Sequence, residues 1–205
     1  MKLTVLFVCL MLLPVFLFAQ NHLLISEIQV APDSLEFIEI FNPNDFPVGL
    51  DSIYLADYNS YFEIVNNSFS TVSTDFMVKF PDSTQIDSAG VLVIAVNGTG
   101  FLPDSADFEI KSTILEIPDM VPMYLGSSTG GMLSNSEMMI LFYWDGVSNR
   151  VYDVDYAIWG STTSNFVDKT GIAPYASDTP VGSQRPSAKP NTGFSMTRTN
   201  ALELG

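Results

Sequence analysis

The side chains that come closest to forming a chemical site in this sequence are carboxylates. The 205 residues include 23 Asp and Glu against 8 Lys and Arg, for a formal net charge of −15. Calcium binds six to eight oxygen ligands from carboxylates, amides and carbonyls in loops. The candidate ligands in the irregular stretch and around the late hairpin are Asp104, Asp107, Glu109, Asp145, Asp153 and Asp155. The EF-hand order D-x-[DN]-x-[DN]-G is absent. Calcium is therefore one hypothesis for these acids, and solvated charge that keeps the protein soluble is the other.

Three further glutamates could converge across the first two strands. They are Glu27, Glu36 and Glu39. For Glu36 and Glu39 a structural role is a further alternative, namely hydrogen bonding to the turn backbone next to Asn42.

Catalytic side chains are not indicated by any motif. His22 is the one histidine, and it lies two or three residues from the predicted mature terminus, where a triad histidine is rarely held in place. The letters GxSxG occur once, as GSSTG at residues 126–130 in a loop rich in Gly, Ser, Thr and Asn, and the sequence lacks GxxxxGK[ST], HExxH and CxxC. A carboxylate pair for glycoside hydrolysis stays open, because acids are abundant. The sequence predicts a protein that is not an enzyme and has no catalytic or cofactor-binding residues.

Other side chains have both a binding and a packing interpretation. The late methionines Met120, Met123, Met132, Met138 and Met139 could bind copper through thioethers, but core filling fits their apolar neighbours better. Four aromatic residues could form a platform for a glycan or a peptide: Trp144, Tyr152, Tyr156 and Trp159. We expect at least Trp159 to lie in the core. Asn66 and Asn97 begin N-x-[ST] sequences, which matter only in a glycosylating pathway.

Residues 1–19 predict a cleaved secretory signal peptide. Lys2 precedes an apolar run, and Ala19 precedes the expected cut before Gln20. A membrane anchor is the alternative, which the short run and Pro14 disfavour. Cys9 is the only cysteine, so the mature chain has no disulfide and no zinc–thiolate site. The scattered basic residues exclude a nucleic-acid interface and disfavour an anionic membrane surface. We expect a secreted or cell-surface protein that does not bind membranes after cleavage.

The elements that must position these side chains are short strands. Apolar, β-branched and aromatic runs occupy residues 23–30, 35–42, 46–58, 61–65, 76–80, 91–96, 123–125, 137–144, 150–159 and 194–198. The run at 91–96 is bounded by glycines and predicts a central strand. Residues 97–122, with a candidate short strand at 112–117, and residues 161–190 are loop-rich. Since no helical stripe follows residue 19, the pattern predicts one all-β sandwich over residues 20–200. Residues 201–205 form a tail without a polar closing segment, so the chain is expected to be truncated or unusually short.

Several phrases of the chain resemble the lamin tail domain in its secreted bacterial form. They are ISEI, EFIEIFNP and VGLDSIYLAD in the first third, and DVDYAIWG at residues 153–160. The resemblance spans residues 23–160, with a weaker continuation to 198. It implies an immunoglobulin-like β-sandwich that acts as a non-catalytic module for binding a protein or a cell-surface glycan. Two alternatives remain, an accessory domain of a larger secreted enzyme such as a nuclease or phosphatase, and a calcium-stabilised surface protein. The sequence has no heptads, so filament formation does not carry over.

Overall fold

The computed structural model describes residues 22–101 and 104–199, and the fold of this part is all-β. Of the residues in these two ranges, 31% lie in strands and 8% in helices. The described strands are β1 Leu24–Gln29, β2 Phe37–Phe41, β3 Val48–Gly49, β4 Ile53–Ala56, β5 Phe76–Lys79, β6 Gln85–Ile86, β7 Val91–Ala95, β8 Phe108–Glu109, β9 Val121–Leu125, β10 Glu137–Tyr143, β11 Tyr152–Trp159 and β12 Met196–Thr197. The predicted signal peptide at 1–19 and the tail at 201–205 lie outside the described residues. Across the described ranges, we find no helix with the length and apolarity to cross a membrane.

Two five-stranded sheets face each other in a sandwich-like arrangement. The first has the order β12-β1-β2-β7-β8 and the second β11-β10-β4-β5-β9. Neighbouring strands are antiparallel except β7 and β8, which run parallel. A small third sheet pairs β3 with β6. The predicted central strand at 91–96 is confirmed, since β7 pairs with β2 on one side and β8 on the other.

Alternation along the strands places the main core between the two sheets. Ile38 and Ile40 of β2 are fully buried there, and Leu55 and Leu141 meet them from the second sheet. A second apolar cluster covers the outer face of the second sheet and includes Phe142 of β10. Because β10 is buried on both faces, its sequence is a continuous apolar run rather than an alternating one.

The predicted strand at residues 61–65 is wrong, because this segment is a 3₁₀ helix over Tyr61–Asn66. Tyr61, Phe62 and Ile64 are all buried and cover the outer face of the second sheet. A strand would have turned Tyr61 away from Phe62 and Ile64. The helix ends where Asn67 adopts the left-handed conformation, with φ of 54°.

The candidate strand at residues 112–117 is also not formed. Ser112 has φ of 51°, a left-handed backbone conformation that interrupts an extended chain. The carboxylate of Glu109 accepts hydrogen bonds from Ile114 N at 2.7 Å and from Thr113 Oγ1 at 2.9 Å. These bonds hold the segment as a loop after β8, and β9 begins at Val121, two residues earlier than predicted.

The hairpin between β10 and β11 is confirmed. Asp145 Oδ1 accepts hydrogen bonds from Val147 N at 3.0 Å and Ser148 N at 2.7 Å. The Ser148 hydroxyl, which donates to Asp145 Oδ2 at 2.5 Å, is the main cause that lowers the pKa of Asp145, and the two backbone bonds lower it further. Gly146 takes φ of 80°, which a residue with a side chain rarely adopts. At the other end of β11, residues 161–195 contain a single described 3₁₀ turn, Val181–Ser183, and run back beside β11.

Candidate functional site: a groove beside strand β11

A groove of about 550 Å³ runs along the outer edge of β11. One wall is formed by β1 and β12 of the first sheet, and the other by the segment between Val167 and Ser187. Apolar side chains of β11 and of both walls line the groove, among them Ile158, Met196 and Val167. The groove therefore lies where an edge strand of one sheet meets an edge strand of the other.

The first wall is held to β11 by a buried ion pair. Arg198 Nη2 donates to both carboxylate oxygens of Asp155, at 2.7 Å and 2.6 Å. Asp155 Oδ2 also accepts a hydrogen bond from Ile25 N at 2.6 Å, and Arg198 Nε donates to Ile25 O at 3.2 Å. Because Asp155 is on β11 and Ile25 is on β1, these bonds join the two sheets at this edge.

The second wall is held by a buried lysine. Lys169 is 4% exposed, and its ammonium group forms ion pairs with Asp153 and, at 3.8 Å, with Asp178. It also donates to Tyr61 Oη at 2.9 Å, and Tyr61 in turn donates to Asp153. Burial, followed by the charge of Asp153, raises the pKa of Tyr61, so the phenol stays protonated. Lys169 lies 5.4 Å and 5.5 Å from the ring centres of Tyr61 and Tyr175.

Polar side chains at the mouth of the groove are oriented by backbone groups. Gln184 Nε2 donates to Val167 O at 2.6 Å and Thr179 O at 3.1 Å, while its Oε1 accepts from Tyr156 Oη at 3.3 Å. Arg185 is exposed, and its Nη1 donates to Gly182 O at 2.7 Å and Gln184 O at 3.0 Å. A guanidinium group has five N–H donors, so Arg185 retains donors for a ligand.

The backbone of β11 is paired on its outer edge at one end. Ser187 N donates to Ile158 O at 2.9 Å, and Gly160 N donates to Ser187 O at 3.0 Å. Backbone groups of a strand point alternately to its two sides. Tyr156 therefore directs its N–H and C=O to the same edge as Ile158, into the groove. A second extended chain could hydrogen-bond there.

The six predicted metal ligands lie in three separate places. Asp104 and Asp107 are exposed, and Asp107 accepts a hydrogen bond from Val93 N at 2.8 Å. Glu109 binds its own loop, and Asp145 closes the β10–β11 turn. Asp153 and Asp155 belong to the ion pairs that frame the groove. Within residues 22–101 and 104–199, no three His, Cys, Asp or Glu side chains are grouped so as to hold a metal ion.

The three glutamates near the first strands have separate partners. Glu27 accepts a hydrogen bond from Ser195, and Glu39 accepts one from Ser26 Oγ at 2.6 Å. Glu36 is buried and binds the backbone N–H groups of Met132 and Leu133, and burial raises its pKa to about 7. The turn after β2 is instead held by Asn42. Its Nδ2 donates to three backbone carbonyls, those of Phe46, Ile86 and Asp87.

The remaining candidate residues are dispersed. His22 is half-buried just before β1 and does not line the groove. Met120, Met132, Met138 and Met139 are buried in the two apolar clusters, whereas Met123 is partly exposed on β9. Asn66 is exposed and Asn97 is buried, so only Asn66 of the two is accessible to a glycosylating enzyme.

The four aromatic residues do not form one platform. Trp159 is buried, as expected, and donates to Ser134 O at 2.9 Å. Tyr152 stacks under Arg150 at the hairpin, Trp144 packs beside Tyr54, and Tyr156 lines the groove.

Sequence reasoning missed the basic and polar residues that hold the two walls of the groove in place. Lys169, Gln184, Arg185 and Arg198 all lie in or after the loop-rich stretch, where no periodic pattern indicates a contact. One signal was available. Four of the eight Lys and Arg residues fall between positions 169 and 198, which is an uneven distribution in so acidic a chain.

Comparison with known proteins assigns no family. No family model matches the chain, and no curated protein matches it. Among solved structures, a DUF4876 family protein from Bacteroides thetaiotaomicron aligns with 17% sequence identity and a TM-score of 0.48. The alignment covers 71% of this chain and 55% of that chain, so this chain spans about half the length of that protein.

Proposed function

We propose that this chain is a secreted, non-catalytic binding module of the lamin-tail type, with an immunoglobulin-like sandwich. In this proposal the groove beside β11 holds an extended segment of a partner protein. The observation that carries the proposal is a groove along an edge strand whose outer backbone is paired at one end only, as far as the described residues go. The sequence phrases shared with the lamin tail domain support the family part of the proposal.

The backbone of β11 supports this mode of binding. An extended peptide adds to a sheet edge through main-chain hydrogen bonds, and pockets for alternate side chains provide specificity. Ser187 already uses this mode at Ile158 and Gly160. A ligand would continue from Ser187 toward the Tyr156 end of the strand.

The side chains of the groove define the chemistry of the ligand. Ile158 and Met196 offer an apolar surface, and Arg185 offers free guanidinium donors at the mouth. The best fit is a short β-forming peptide with an apolar residue facing the groove and a carboxylate reaching Arg185. The ion pairs of Asp155 and Lys169 keep both walls in place without contributing a free charge.

Selection from a random peptide library on the purified, exported protein tests this proposal. We expect selected peptides to bind with micromolar affinity, as measured by fluorescence anisotropy. Ala157→Phe, which fills the groove, should weaken binding at least tenfold, and Arg185→Ala should weaken binding of peptides that carry a carboxylate. Arg150→Ala, at the hairpin outside the groove, is the matched control. Selected peptides that bind Ala157→Phe as tightly as the unchanged protein would contradict the proposal. So would a protein that yields no binding peptide but binds glycans on a glycan array.

Secretion is a separate part of the proposal and rests on residues 1–19. The intact mass of the protein exported by its native host should match residues 20–205. A much larger mass would favour the alternative in which the module is an accessory domain of a larger secreted enzyme. Retention of residues 1–19 would favour a membrane anchor.

A further inference from the structure

A second cavity, of about 380 Å³, lies at one end of the second sheet. Its lining comes from four segments: residues 57–59 after β4, 72–75 before β5, 134–137 at the start of β10, and 162–165 after β11. These strands are neighbours and alternate in direction, so their four ends meet at the same edge. The cavity shares no lining residue with the groove.

Asp57 is the most unusual residue of this cavity. It is 0% exposed, and its Oδ1 accepts a hydrogen bond from Phe76 N at 2.7 Å. Its Oδ2 is buried and receives no hydrogen bond from any group of the described chain. Burial is the main reason that the pKa of Asp57 lies well above its usual value, and nearby Glu137 and Asp75 raise it further. A buried carboxylate oxygen without a donor is costly unless something absent from the chain itself satisfies it.

Two more carboxylates line the same cavity. Glu137 is 8% exposed and accepts a hydrogen bond from Asn165 Nδ2 at 3.0 Å, and burial raises its pKa to about 7. Asp75 accepts a hydrogen bond from Ser70, and burial raises its pKa as well. The lining contains no Lys, Arg or His. Three acids thus face one space without a positive charge from the lining.

Uncharged oxygen atoms that could act as metal ligands also line the cavity. Asn59 Nδ2 donates to Ser164 O at 2.8 Å and Phe166 O at 3.3 Å, which leaves its Oδ1 as an acceptor. Hydroxyl groups of Ser134, Thr162 and Ser164 lie on the same surface. Calcium typically combines a few carboxylates with amide, hydroxyl and carbonyl oxygens. The three carboxylates do not by themselves form a ready metal cluster in the described residues. Asp57 and Glu137 would therefore act as ligands together with neutral oxygens, and Asp75 would add negative charge.

We infer that this cavity binds a calcium ion, held by Asp57 and Glu137, which ties the four segments together. The bound ion would satisfy the free oxygen of Asp57 and balance the charge of the three acids. Isolated calcium sites of extracellular modules bind with Kd of about 0.1–1 mM. Binding to the folded state alone raises the melting temperature, by about 5–10 °C at a hundredfold excess over Kd.

Titration of the metal-free protein with calcium chloride tests this inference, with the melting temperature and calorimetric heat as readouts. Terbium provides an optical probe, because Tyr58 lines the cavity and can sensitise its luminescence. We expect saturable binding of one ion, competition between calcium and terbium, and a rise in the melting temperature. Magnesium should give a much smaller rise, since it demands an octahedral site.

Matched variants locate the ion. Glu137→Gln and Asp57→Asn should weaken calcium binding at least tenfold. If Asp57→Asn fails to fold, Asp75→Asn replaces it and should weaken binding severalfold. Asp107→Asn and Asp145→Asn remove the same charge elsewhere and should leave binding unchanged. Absence of saturable binding would overturn the inference, and so would unchanged binding by Glu137→Gln or loss of binding by the controls. Groove variants such as Ala157→Phe should not change calcium binding, so this inference and the peptide-binding proposal can fail independently.

Discussion

The groove beside β11 and the cavity at the end of the second sheet both contain buried carboxylates, but they differ in how the negative charge is balanced. In the groove, buried Asp155 is paired with Arg198, and Asp153 is paired with Lys169. In the cavity, Asp57, Asp75 and Glu137 share a space whose lining has no basic residue. A buried charge needs a partner or a proton. The difference shows that one region carries its own cations, whereas the other depends on protons or an added ion.

The largest expected effect comes from breaking the lysine network of the groove. Lys169→Met leaves Asp153 and Asp178 without their cation beside buried Tyr61. We expect a loss of about 3 kcal/mol in the free energy of unfolding, measured by urea denaturation, because removal of one partner strands the other charge. Lys79→Met removes an exposed pair with Asp82 and should cost less than about 0.5 kcal/mol. Equal losses of unfolding free energy in Lys169→Met and Lys79→Met would contradict the distinction between a buried and an exposed ion pair.

The pH dependence of stability should reveal the unpaired acids of the cavity. The pKa of Glu137 is raised from 4.5 to about 7 in the folded protein. The folded state therefore keeps a proton that the unfolded state has released, and stability falls as the pH rises from about 4.5 to about 7. We expect Glu137 alone to lower the free energy of unfolding by about 2.5 kcal/mol over this range without calcium.

Two variants and calcium separate the contributions to this pH dependence. Glu137→Gln should remove part of the decrease in stability between pH 4.5 and 7. Glu36, whose pKa is also raised to about 7, should account for a further part of that decrease. Calcium should restore stability most strongly above pH 7, where the acids are charged. Stability that rises between pH 5 and pH 8 in calcium-free buffer would contradict the assignment.

The same substitution should have opposite effects in the two regions. Asp155→Asn removes the carboxylate that Arg198 and Ile25 N bind, and should cost about 2 kcal/mol. Asp57→Asn keeps an acceptor for Phe76 N and removes an uncompensated charge. At pH 8 without calcium it should therefore leave stability unchanged or raise it by about 1 kcal/mol. Calorimetric melting of both variants checks that the two substitutions change stability in opposite directions. A large loss of stability in Asp57→Asn would contradict this prediction.

The smallest effect on stability is expected at the mouth of the groove. Arg185 is exposed and bonds to nearby carbonyls, so Arg185→Ala should change the free energy of unfolding by less than about 0.5 kcal/mol. Its effect should appear in peptide binding alone. A large loss of stability would indicate that Arg185 holds the loop rather than a ligand.

Local patterns were a good guide where each residue's environment follows from its neighbours in sequence. The strands at β1, β2, β7, β10 and β11 and the turn at Asp145-Gly146 were predicted within a few residues. Residues 61–65 were predicted wrongly, because their apolar composition suits a strand and a buried 3₁₀ helix equally. The choice depends on the second apolar cluster, which Phe142 and Met77 supply from distant positions.

The candidate sites could not be located from the sequence, because their residues are far apart in the chain. Asp155 and Arg198 are separated by 43 positions, and Tyr61 and Lys169 by 108. The acids chosen from the sequence as calcium ligands were grouped by proximity along the chain. The cavity instead combines Asp57 and Glu137, which meet because β4 ends where β10 begins.

The sequence by itself determined the all-β character of this protein, its acidity and the lack of cysteine after position 9. These properties depend on composition and on short-range alternation, which each segment carries alone. The tertiary structure decided which acids are paired with a base and which are not. Burial and charge compensation depend on contacts between distant segments, and only the packing of the two sheets brings those segments together.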